Sequence, residues 1–166
     1  MRFALFLLLI PFFAECQTVH IEKGRIAYKG SVKVHGITKS ELQERAKQAL
    51  LKNVKHAKEI DSDKNSKDEI IMAGEMGLYS THGIIKSLEY IIKVSIKDEG
   101  YKYEIDSVYI KTSERGGKTI IIPSEELVKG MDMTGNPAID AEKQLNEIDM
   151  RIQQLLDFIY RDVKRR

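Results

Sequence analysis

The side chains that could carry nucleophilic, acid–base or metal chemistry are few and widely separated along this sequence. No two of its four histidines are closer than fifteen residues, and none stands in an HExxH pair. Zinc sites usually draw on His and Cys ligands at short spacings, and the single cysteine, Cys16, lies near the N-terminus. A GxSxG nucleophile motif is also absent. We therefore expect no catalytic residue, no cofactor and no metal site. The histidines are His20, His35, His56 and His82.

Two short motifs resemble known ligand-binding loops, but each lacks a residue that its chemistry needs. The stretch 61–65, Asp-Ser-Asp-Lys-Asn, opens like a calcium loop, yet Ser66 replaces the glycine of the sharp turn and Met72 replaces the bidentate glutamate. The stretch 117–119, Gly-Lys-Thr, matches the end of a phosphate-binding loop, but Thr112 occupies the position of its first glycine. We interpret the first motif as a polar loop and the second as a hairpin turn.

Carboxylates and tyrosines in the predicted strands leave two interpretations open. The carboxylates could pair across strands as a general acid and base, although acidic residues on the wet face of a sheet usually serve solvation. The tyrosines could pack across adjacent strands, or they could line a cleft between the sheet and the last helix that holds an apolar ligand. The carboxylates are Glu75, Glu89, Glu104 and Asp106, and the tyrosines are Tyr90, Tyr101, Tyr103 and Tyr109.

Length and composition indicate one ordinary globular domain. The chain has 166 residues, of which 42% are apolar and 31% charged, and its three prolines and eleven glycines exclude collagen-like and low-complexity classes. The formal net charge is +2, with acids and bases interleaved over most of the chain. Nucleic-acid modules usually concentrate basic residues on one face, so we expect no nucleic-acid partner.

The first sixteen residues differ from the rest of the chain and have the form of a secretory signal. Arg2 gives a short positive start, the apolar run 3–10 follows, and Pro11 ends that run before the small and polar residues that precede Gln17. A helix of about eleven residues is about 16 Å long, roughly half of a bilayer's hydrocarbon core. We therefore expect residues 1–16 to be removed, no transmembrane segment in the mature chain, and an exported, periplasmic or cell-envelope protein.

Cysteine use leaves a second interpretation of the leader open. Cleavage after Cys16 would give a mature chain, 17–166, that has no thiol and cannot depend on disulfides for its stability. Alternatively, Cys16 could be the lipidated first residue of a lipoprotein, although such signals place a small residue before the cysteine and this chain has Glu15. The first interpretation predicts a free exported chain, and the second predicts a chain anchored to a membrane.

Apolar periodicity predicts an α+β fold. Alternation over 25–34 predicts a strand, and Thr38 with Glu41 forms a capping box at the start of an amphipathic helix. Period-two patterns separated by glycine turns then predict four antiparallel strands, with a bulge near Asp106 and Ser107 where the apolar parity changes. These strands are expected near 69–78, 86–98, 101–112 and 118–122.

A long apolar stripe predicts that a helix over about 138–165 ends the chain. Leu145, Ile152 and Ile159 repeat every seven residues, so the same stripe could form a coiled-coil dimer. A sheet with one apolar face needs a cover, however, and the terminal helix is the element best suited to that task. We therefore expect the helix to pack on the sheet, and we expect a monomer rather than a dimer.

Two stretches of the sequence resemble the family called domain of unknown function 4468. They are 34–47, VHGITKSELQERAK, and 90–103, YIIKVSIKDEGYKY. That family consists of exported proteins, mostly from Bacteroidota, with a TBP-like fold. The resemblance implies a TBP-like, helix-grip-like β-α-β-β-β-β-α arrangement whose antiparallel sheet is covered by the long C-terminal helix. It covers about 30–122 of a single domain at 17–166, and it carries no catalytic residue across.

Two surface features suggest modification or contact with the cell envelope. The tripeptide 106–108, Asp-Ser-Val, resembles the Asp-Ser/Thr-aliphatic O-glycosylation signal of Bacteroidota envelopes, which makes Ser107 a candidate site. The basic C-terminal end suits the negative pole of the last helix and could touch anionic lipid or polysaccharide, or it could simply be solvated. Its residues are Arg161, Lys164, Arg165 and Arg166.

The sequence thus encodes a fold far more clearly than it encodes chemistry. We predict a non-catalytic binding or interaction module of the cell envelope, whose partner is another envelope protein or a small ligand. Two alternatives stay open. One is an envelope enzyme whose carboxylates or histidines meet only in the fold, and the other is a structural component anchored to lipid through Cys16.

Overall fold

The structure is a computed structural model that describes residues 21–60, 68–79, 84–114, 119–131 and 137–165. Some predictions concern positions outside these ranges. They are the leader with Cys16, His20 and His82, the calcium-like loop at 61–65, the turn at 115–118, and Arg166.

The described residues form eight strands and three helices. The strands are β1 (Ile21–Glu22), β2 (Arg25–Ile26), β3 (Tyr28–Lys33), β4 (Lys58–Glu59), β5 (Glu69–Leu78), β6 (Ile84–Lys97), β7 (Gly100–Glu114) and β8 (Thr119–Pro123). The helices are α1 (Lys39–Asn53), α2 (Ser124–Met131) and α3 (Pro137–Lys164). The predicted order of strand, helix, four antiparallel strands and terminal helix is confirmed, with short elements added between them.

Strands β3 to β8 form one antiparallel sheet in the order β3-β7-β6-β5-β4. The first half of β7 pairs with β3 and its second half pairs with β8, so these two strands follow each other along the same side of β7. The predicted hairpin between β6 and β7 turns at Asp98 and Glu99. Gly100 follows this turn with φ 155°, and a Cβ there would collide with the carbonyl oxygen of Val32. The hairpin therefore requires glycine at this position.

The strand predicted over 25–34 is divided into two strands at Ala27. Arg25 and Ile26 pair with β1 in a separate two-stranded hairpin, whereas β3 joins the main sheet. Lys23 and Gly24 have φ values of 53° and 77°, as in the tight turns that join two antiparallel strands. The turn therefore pairs 25–26 back onto β1 instead of extending β3.

Helix α1 begins at the predicted cap. The backbone N–H of Glu41 donates to Thr38 Oγ1 at 3.2 Å, which satisfies one of the free donors at the helix start. The Glu41 carboxylate accepts a hydrogen bond from Arg45 Nη2 at 2.5 Å. Arg45 Nη1 donates in turn to the carbonyl of Arg165 at 2.9 Å, so this cap is linked to the C-terminal end of the chain.

Helix α2 follows β8 directly and packs against the core. It has eight residues, because its apolar side is held by the protein core: Leu127 is only 8% exposed, and Val128 packs against the same cluster. Ser124 is buried at the start of the helix, where the backbone N–H of Ile26 donates to its Oγ at 3.4 Å. Packing of this apolar side against the core thus stabilises a helix that the sequence pattern alone predicts only weakly.

The predicted bulge lies in β7. Glu89 pairs with Tyr109 and Ile91 pairs with Asp106, so two residues of β7 oppose one residue of β6. Ser107 takes up the extra length with φ 51°. The bulge restores the parity of the strand, since Ile105 before it and Val108 after it are both buried on the same side of the sheet.

Helices α1 and α3 pack over one side of the sheet, which we call the covered face; the other side is the open face. The predicted alternation in β6 is confirmed, because Tyr90, Ile92, Val94 and Ile96 are all buried on the covered face. The apolar stripe of α3 completes the core, as predicted for the terminal helix. Its buried residues are Leu145, Ile148, Ile152, Leu155, Ile159 and Val163.

Two tyrosines of the central strands lie across glycines of the neighbouring strands. Gly74 of β5 is in register with Tyr90, and Gly30 of β3 is in register with Tyr103. A Cβ at Gly74 would approach Tyr90 Cζ to 2.7 Å, and a Cβ at Gly30 would collide with the Tyr103 ring. Each ring therefore occupies the space that a side chain at the glycine would take. The Tyr90 ring extends towards β5, and the Tyr103 ring extends towards β3.

Candidate binding groove

A groove with a volume of about 380 Å³ runs between the end of β5 and the flank of α3. We call it the β5–α3 groove. Its volume lies within the usual range for small-molecule sites, roughly 300–1,000 Å³. The residues that define it are Met76, Gly77, Leu78, Tyr90, Arg151 and Phe158.

The strand wall of the groove is an edge of the sheet that no described strand covers. Strand β4 pairs with β5 only at Ala73 and Met72, and the Glu75 N–H donates to the carbonyl of Lys55 at 3.1 Å. Beyond Glu75, β5 is paired on one side alone, with β6. The edge is open here because β4 is only two residues long.

The helix wall consists of residues beside the buried stripe of α3. Leu155 faces the core, whereas Gln154 is exposed and Phe158 is 50% exposed although it lines the groove. A large aromatic ring that is half exposed beside hydrogen-bonding groups is a common feature of binding surfaces. Phe158 is also the only phenylalanine beyond the predicted leader.

The floor of the groove contains Tyr90, whose ring extends over Gly74 towards β5. Burial raises the pKa of Tyr90, so its phenol stays protonated at neutral pH and can donate a hydrogen bond. No described residue accepts one from it. The groove therefore combines apolar walls with a neutral donor at its base.

Arg151 lines the groove and contacts two residues beside it, Tyr79 and Glu147. The Tyr79 N–H donates to Glu147 Oε1 at 2.7 Å, and the Arg151 guanidinium lies 5.3 Å from the centre of the Tyr79 ring. Arg151 Nε is buried without a hydrogen bond to any described residue, and its ion-pair partner Glu147 Oε1 is 3.9 Å away. The Arg151 side chain as a whole is 34% exposed, so its guanidinium can still donate to a ligand in the groove.

The four candidate tyrosines occupy four different surroundings. Tyr90 lines the β5–α3 groove, Tyr101 is buried in the core, and Tyr103 is half-buried over Gly30. Tyr109 has the opposite parity, next to the bulge, and lies 39% exposed on the open face. One of the four thus lines the groove beside the terminal helix, and the structure does not place all of them around one cleft.

A second depression, of about 180 Å³, lies beside the bulge and contains Ser107 and Tyr109. Ser107, the candidate for O-glycosylation, is exposed at the apex of the bulge. Charged residues around the depression largely neutralise one another: Lys29 pairs with Glu22 at 2.7 Å and with Glu104 at 3.1 Å.

The fold brings two of the four candidate carboxylates together, whereas the described histidines stay apart. Glu75 and Glu89 are in register across β5 and β6, and Lys111 of β7, on the other side of β6, donates to Glu89 Oε1 at 3.1 Å. This hydrogen bond and the charges of both carboxylates raise the pKa of Lys111. His35 and His56 are exposed and far apart in sequence. Within the described ranges, no cluster of three His, Cys, Asp or Glu side chains could hold a metal ion.

The basic end of α3 is engaged with its own helix and with α1. Arg161 pairs with Asp157 at 2.6 Å, and Lys164 Nζ donates to the Tyr160 hydroxyl at 3.0 Å.

Among the described residues, no helix is long and apolar enough to cross a bilayer.

Sequence patterns do not single out the residues that define the groove, apart from Tyr90. Phe158 stands one position away from the buried Ile159, so periodicity assigns it to the margin of the apolar stripe. Gly77 has no special φ and no close neighbour, so nothing in the local sequence distinguishes it. Composition gives one signal for Phe158, because it is the only phenylalanine after residue 16, whereas the chain has seven tyrosines.

Comparisons with known proteins agree with the architecture. A family model described as a domain of unknown function (DUF4468) with TBP-like fold matches residues 28–111, about half of the chain. A TBP-like protein from Parabacteroides distasonis ATCC 8503 has a similar structure, with a TM-score of 0.70 and 14% identity over 87% of this chain and 96% of the other. A DUF4468 family protein from Bacteroides ovatus ATCC 8483 gives a TM-score of 0.66 and 12% identity over 89% and 91%. No curated protein is detectably similar to the chain. At such low identity these likenesses show the fold alone, and the predicted TBP-like α+β class is confirmed.

Proposed function

The chain belongs to the DUF4468 family, and from this premise we propose that it is a binding module of the cell envelope that holds its ligand in the β5–α3 groove. Fold does not determine function, so the proposal depends on the groove itself. The observation that carries it is the half-exposed ring of Phe158 in the same groove as the Tyr90 hydroxyl, which donates to no described residue. A ligand would cover the ring and supply the missing hydrogen bond.

The groove supports binding better than catalysis. Its apolar walls, the neutral phenol of Tyr90 and the Arg151 donor can hold and orient a molecule. Of the four candidate carboxylates, Glu75 alone lines the groove, whereas Glu89 and Glu104 lie in ion pairs with Lys111 and Lys29 on the open face. The enzyme alternative would need a base and an acid that face the same bound molecule.

Native mass spectrometry of the protein purified from the cell envelope tests this proposal. We expect an additional mass on the wild-type protein that is lost in Phe158→Ser. Ile121→Ser is the matched control, because Ile121 is 58% exposed on β8 and does not line the groove. The additional mass should survive in this control. A bound mass that Phe158→Ser retains, or the absence of any bound mass in the wild type, contradicts the proposal.

Export is part of the same proposal and has its own test. The apolar segment before Gln17 supports removal of residues 1–16 and a periplasmic or cell-envelope location. Cell fractionation combined with N-terminal sequencing should find a mature chain that begins at Gln17. If Cys16 is lipidated instead, Cys16→Ser should release the protein from the membrane fraction, and an unchanged distribution would exclude the tether.

We also propose that the protein is a monomer. The stripe that could have formed a coiled coil is used within the chain, since Leu145, Ile152 and Ile159 are all buried against the sheet and α1. Sedimentation equilibrium should give the mass of a single chain, and a stable dimer would contradict this part of the proposal.

A further inference from the structure

We propose that the occupant of the β5–α3 groove is an extended peptide segment of a partner protein, which adds a short strand to the open edge of β5. This inference rests on the proposed function and specifies its ligand class. It is based on three observations: the orientation of the Gly77 backbone, the two interactions that limit the open edge, and the position of the apolar side chains.

The first observation concerns the backbone of Gly77. In an antiparallel pair, successive residues point their N–H and C=O groups alternately towards and away from the partner strand. Glu75 points away from β6, because its N–H donates to Lys55, and Ile71 does the same, because its carbonyl accepts from Ile60. Gly77 has the same parity, so its N–H and C=O also point outwards. Among the described residues, none bonds to either group.

The second observation is that the open edge is short and limited at both ends. The Lys55 carbonyl takes the N–H of Glu75, and the Glu147 carboxylate takes the N–H of Tyr79. Between them, Gly77 presents one donor and one acceptor in the plane of the sheet. One residue of an extended peptide supplies the matching acceptor and donor, as in strand addition at other sheet edges. A purely apolar ligand would leave both groups of Gly77 unpaired.

The third observation predicts the side chains that such a peptide would carry. The residue that pairs with Gly77 would direct its side chain to the open face, because directly opposed residues share a face. Its two neighbours would lie on the covered face, beside Met76 and Leu78 and against the ring of Phe158. The geometry therefore favours an apolar–any–apolar tripeptide. The Arg151 side chain, which is 34% exposed at the same wall, can donate to a peptide carbonyl.

The absence of a side chain at Gly77 makes a matched pair of variants available. A Cβ at this position would meet nothing within 4 Å, and the φ of Gly77 is not positive, so Gly77→Ala should leave the edge intact. Gly77→Pro removes the outward N–H without removing a hydrogen bond to β6. The two variants thus differ in the backbone N–H of residue 77, which the proposal requires.

The test uses a phage-displayed library of random octapeptides, panned against the full-length purified protein, followed by affinity measurements on synthetic copies of the enriched peptides. We expect enriched sequences with apolar residues at alternate positions. Gly77→Ala should bind them with affinity within about twofold of the wild type, whereas Gly77→Pro should lose about tenfold or more. If Gly77→Pro does not fold, a peptide N-methylated at the amide that faces Gly77 should show the same loss.

The outcomes separate this inference from the proposed function. Peptides that bind Gly77→Pro as tightly as wild type, or that tolerate N-methylation at every position, overturn strand addition. The same holds if no peptide is enriched while a small apolar molecule still binds in a manner that depends on Phe158; in that case the proposed function stands and the peptide class fails. A wild-type dimer that Gly77→Pro abolishes would identify a second copy as the occupant, and it would overturn the choice of a separate partner.

Discussion

At the scale of single residues, glycines decide where the large aromatic side chains of this sheet can lie. Tyr90 and Tyr103 each extend over a glycine of the adjacent strand, and this brings Tyr90 to the floor of the groove. The sequence predicted both strands and placed Tyr90 on the core side. It did not predict the contact, because the register that pairs Gly74 with Tyr90 depends on two segments separated in the chain.

Replacing Gly74 by alanine tests this arrangement. The new Cβ would lie 2.5 Å from Val54 Cγ1 and 2.7 Å from Tyr90 Cζ, so the ring must move. We expect the free energy of unfolding to fall by about 1–3 kcal/mol, as is usual when a packed site is overfilled. Chemical denaturation measures this change.

Gly77→Ala is the control for that substitution, because it lies in the same strand and has open space around it. Alanine is favoured over glycine in a strand by about 0.5 kcal/mol, so the control should be neutral or slightly stabilising. If both variants lost the same free energy of unfolding, the packing of the Tyr90 ring would not depend on glycine at position 74.

At the scale of elements, α1 and α3 are joined at their C-terminal ends by Asp162. Its carboxylate accepts from Asn53 Nδ2 at 2.7 Å and from Lys52 Nζ at 3.0 Å, so one residue of α3 holds the last turn of α1. Helical periodicity predicted both helices, but a single sequence carries no signal for which helices are neighbours. The same limit applies to the groove, which exists because the chain after α1 meets the edge of β5 only as far as Glu75 and α3 passes beside the edge beyond it.

We expect this link to make stability depend on acid. The hydrogen bonds from Asn53 and Lys52 lower the pKa of Asp162, so the carboxylate stabilises the folded state above the ordinary carboxyl pKa of about 3.9, and this contribution is lost as the pH falls through the lowered value. Asp162→Asn should therefore lower the melting temperature by a few degrees at pH 7. The difference from wild type should shrink as the pH falls through the lowered pKa of Asp162 and disappear below it.

Thermal melts between neutral and acid pH measure this effect. Asp157→Asn is the matched control, because Asp157 pairs with Arg161 within α3 and is about half exposed. Exposed pairs within one helix contribute little, so the control should change stability less. A pH-independent difference between Asp162→Asn and wild type would show that the charge of Asp162 is not what joins the helices.

At the scale of the whole molecule, the fold is specified by a pattern that survives extensive change of sequence. Structures that share only 12–14% identity with this chain have the same architecture, since alternating strands and a covering amphipathic helix can be built from many apolar residues. The fold class was therefore predictable from periodicity and from the resemblance to a family. The binding surface was not, because it depends on a few exposed residues that periodicity does not constrain.

The buried tyrosines should make the whole molecule sensitive to alkali. Burial raises the pKa of Tyr28, Tyr90 and Tyr101, and the nearby Asp149 adds to the effect at Tyr28. The unfolded chain releases these protons from about pH 10, whereas the folded chain keeps them to higher pH. Stability should therefore be fully present below about pH 10 and should decline as the pH rises further.

An alkaline titration followed by tyrosinate absorbance and circular dichroism tests this expectation. The last tyrosines to ionise should do so together with the loss of secondary structure. If all seven tyrosines ionised while the dichroism stayed native, the described burial of these rings would be wrong.

The claim that the β5–α3 groove is the binding surface is tested most directly by a ¹H–¹⁵N NMR titration of the full-length protein with ANS, an anionic dye whose aromatic rings bind apolar surface. We predict that the largest shift changes fall on Gly77, Leu78 and Phe158, and that they are lost in Phe158→Ser but kept in Ile121→Ser. Changes centred on Ile121 or on the depression around Ser107, with the groove amides unaffected, would contradict the account.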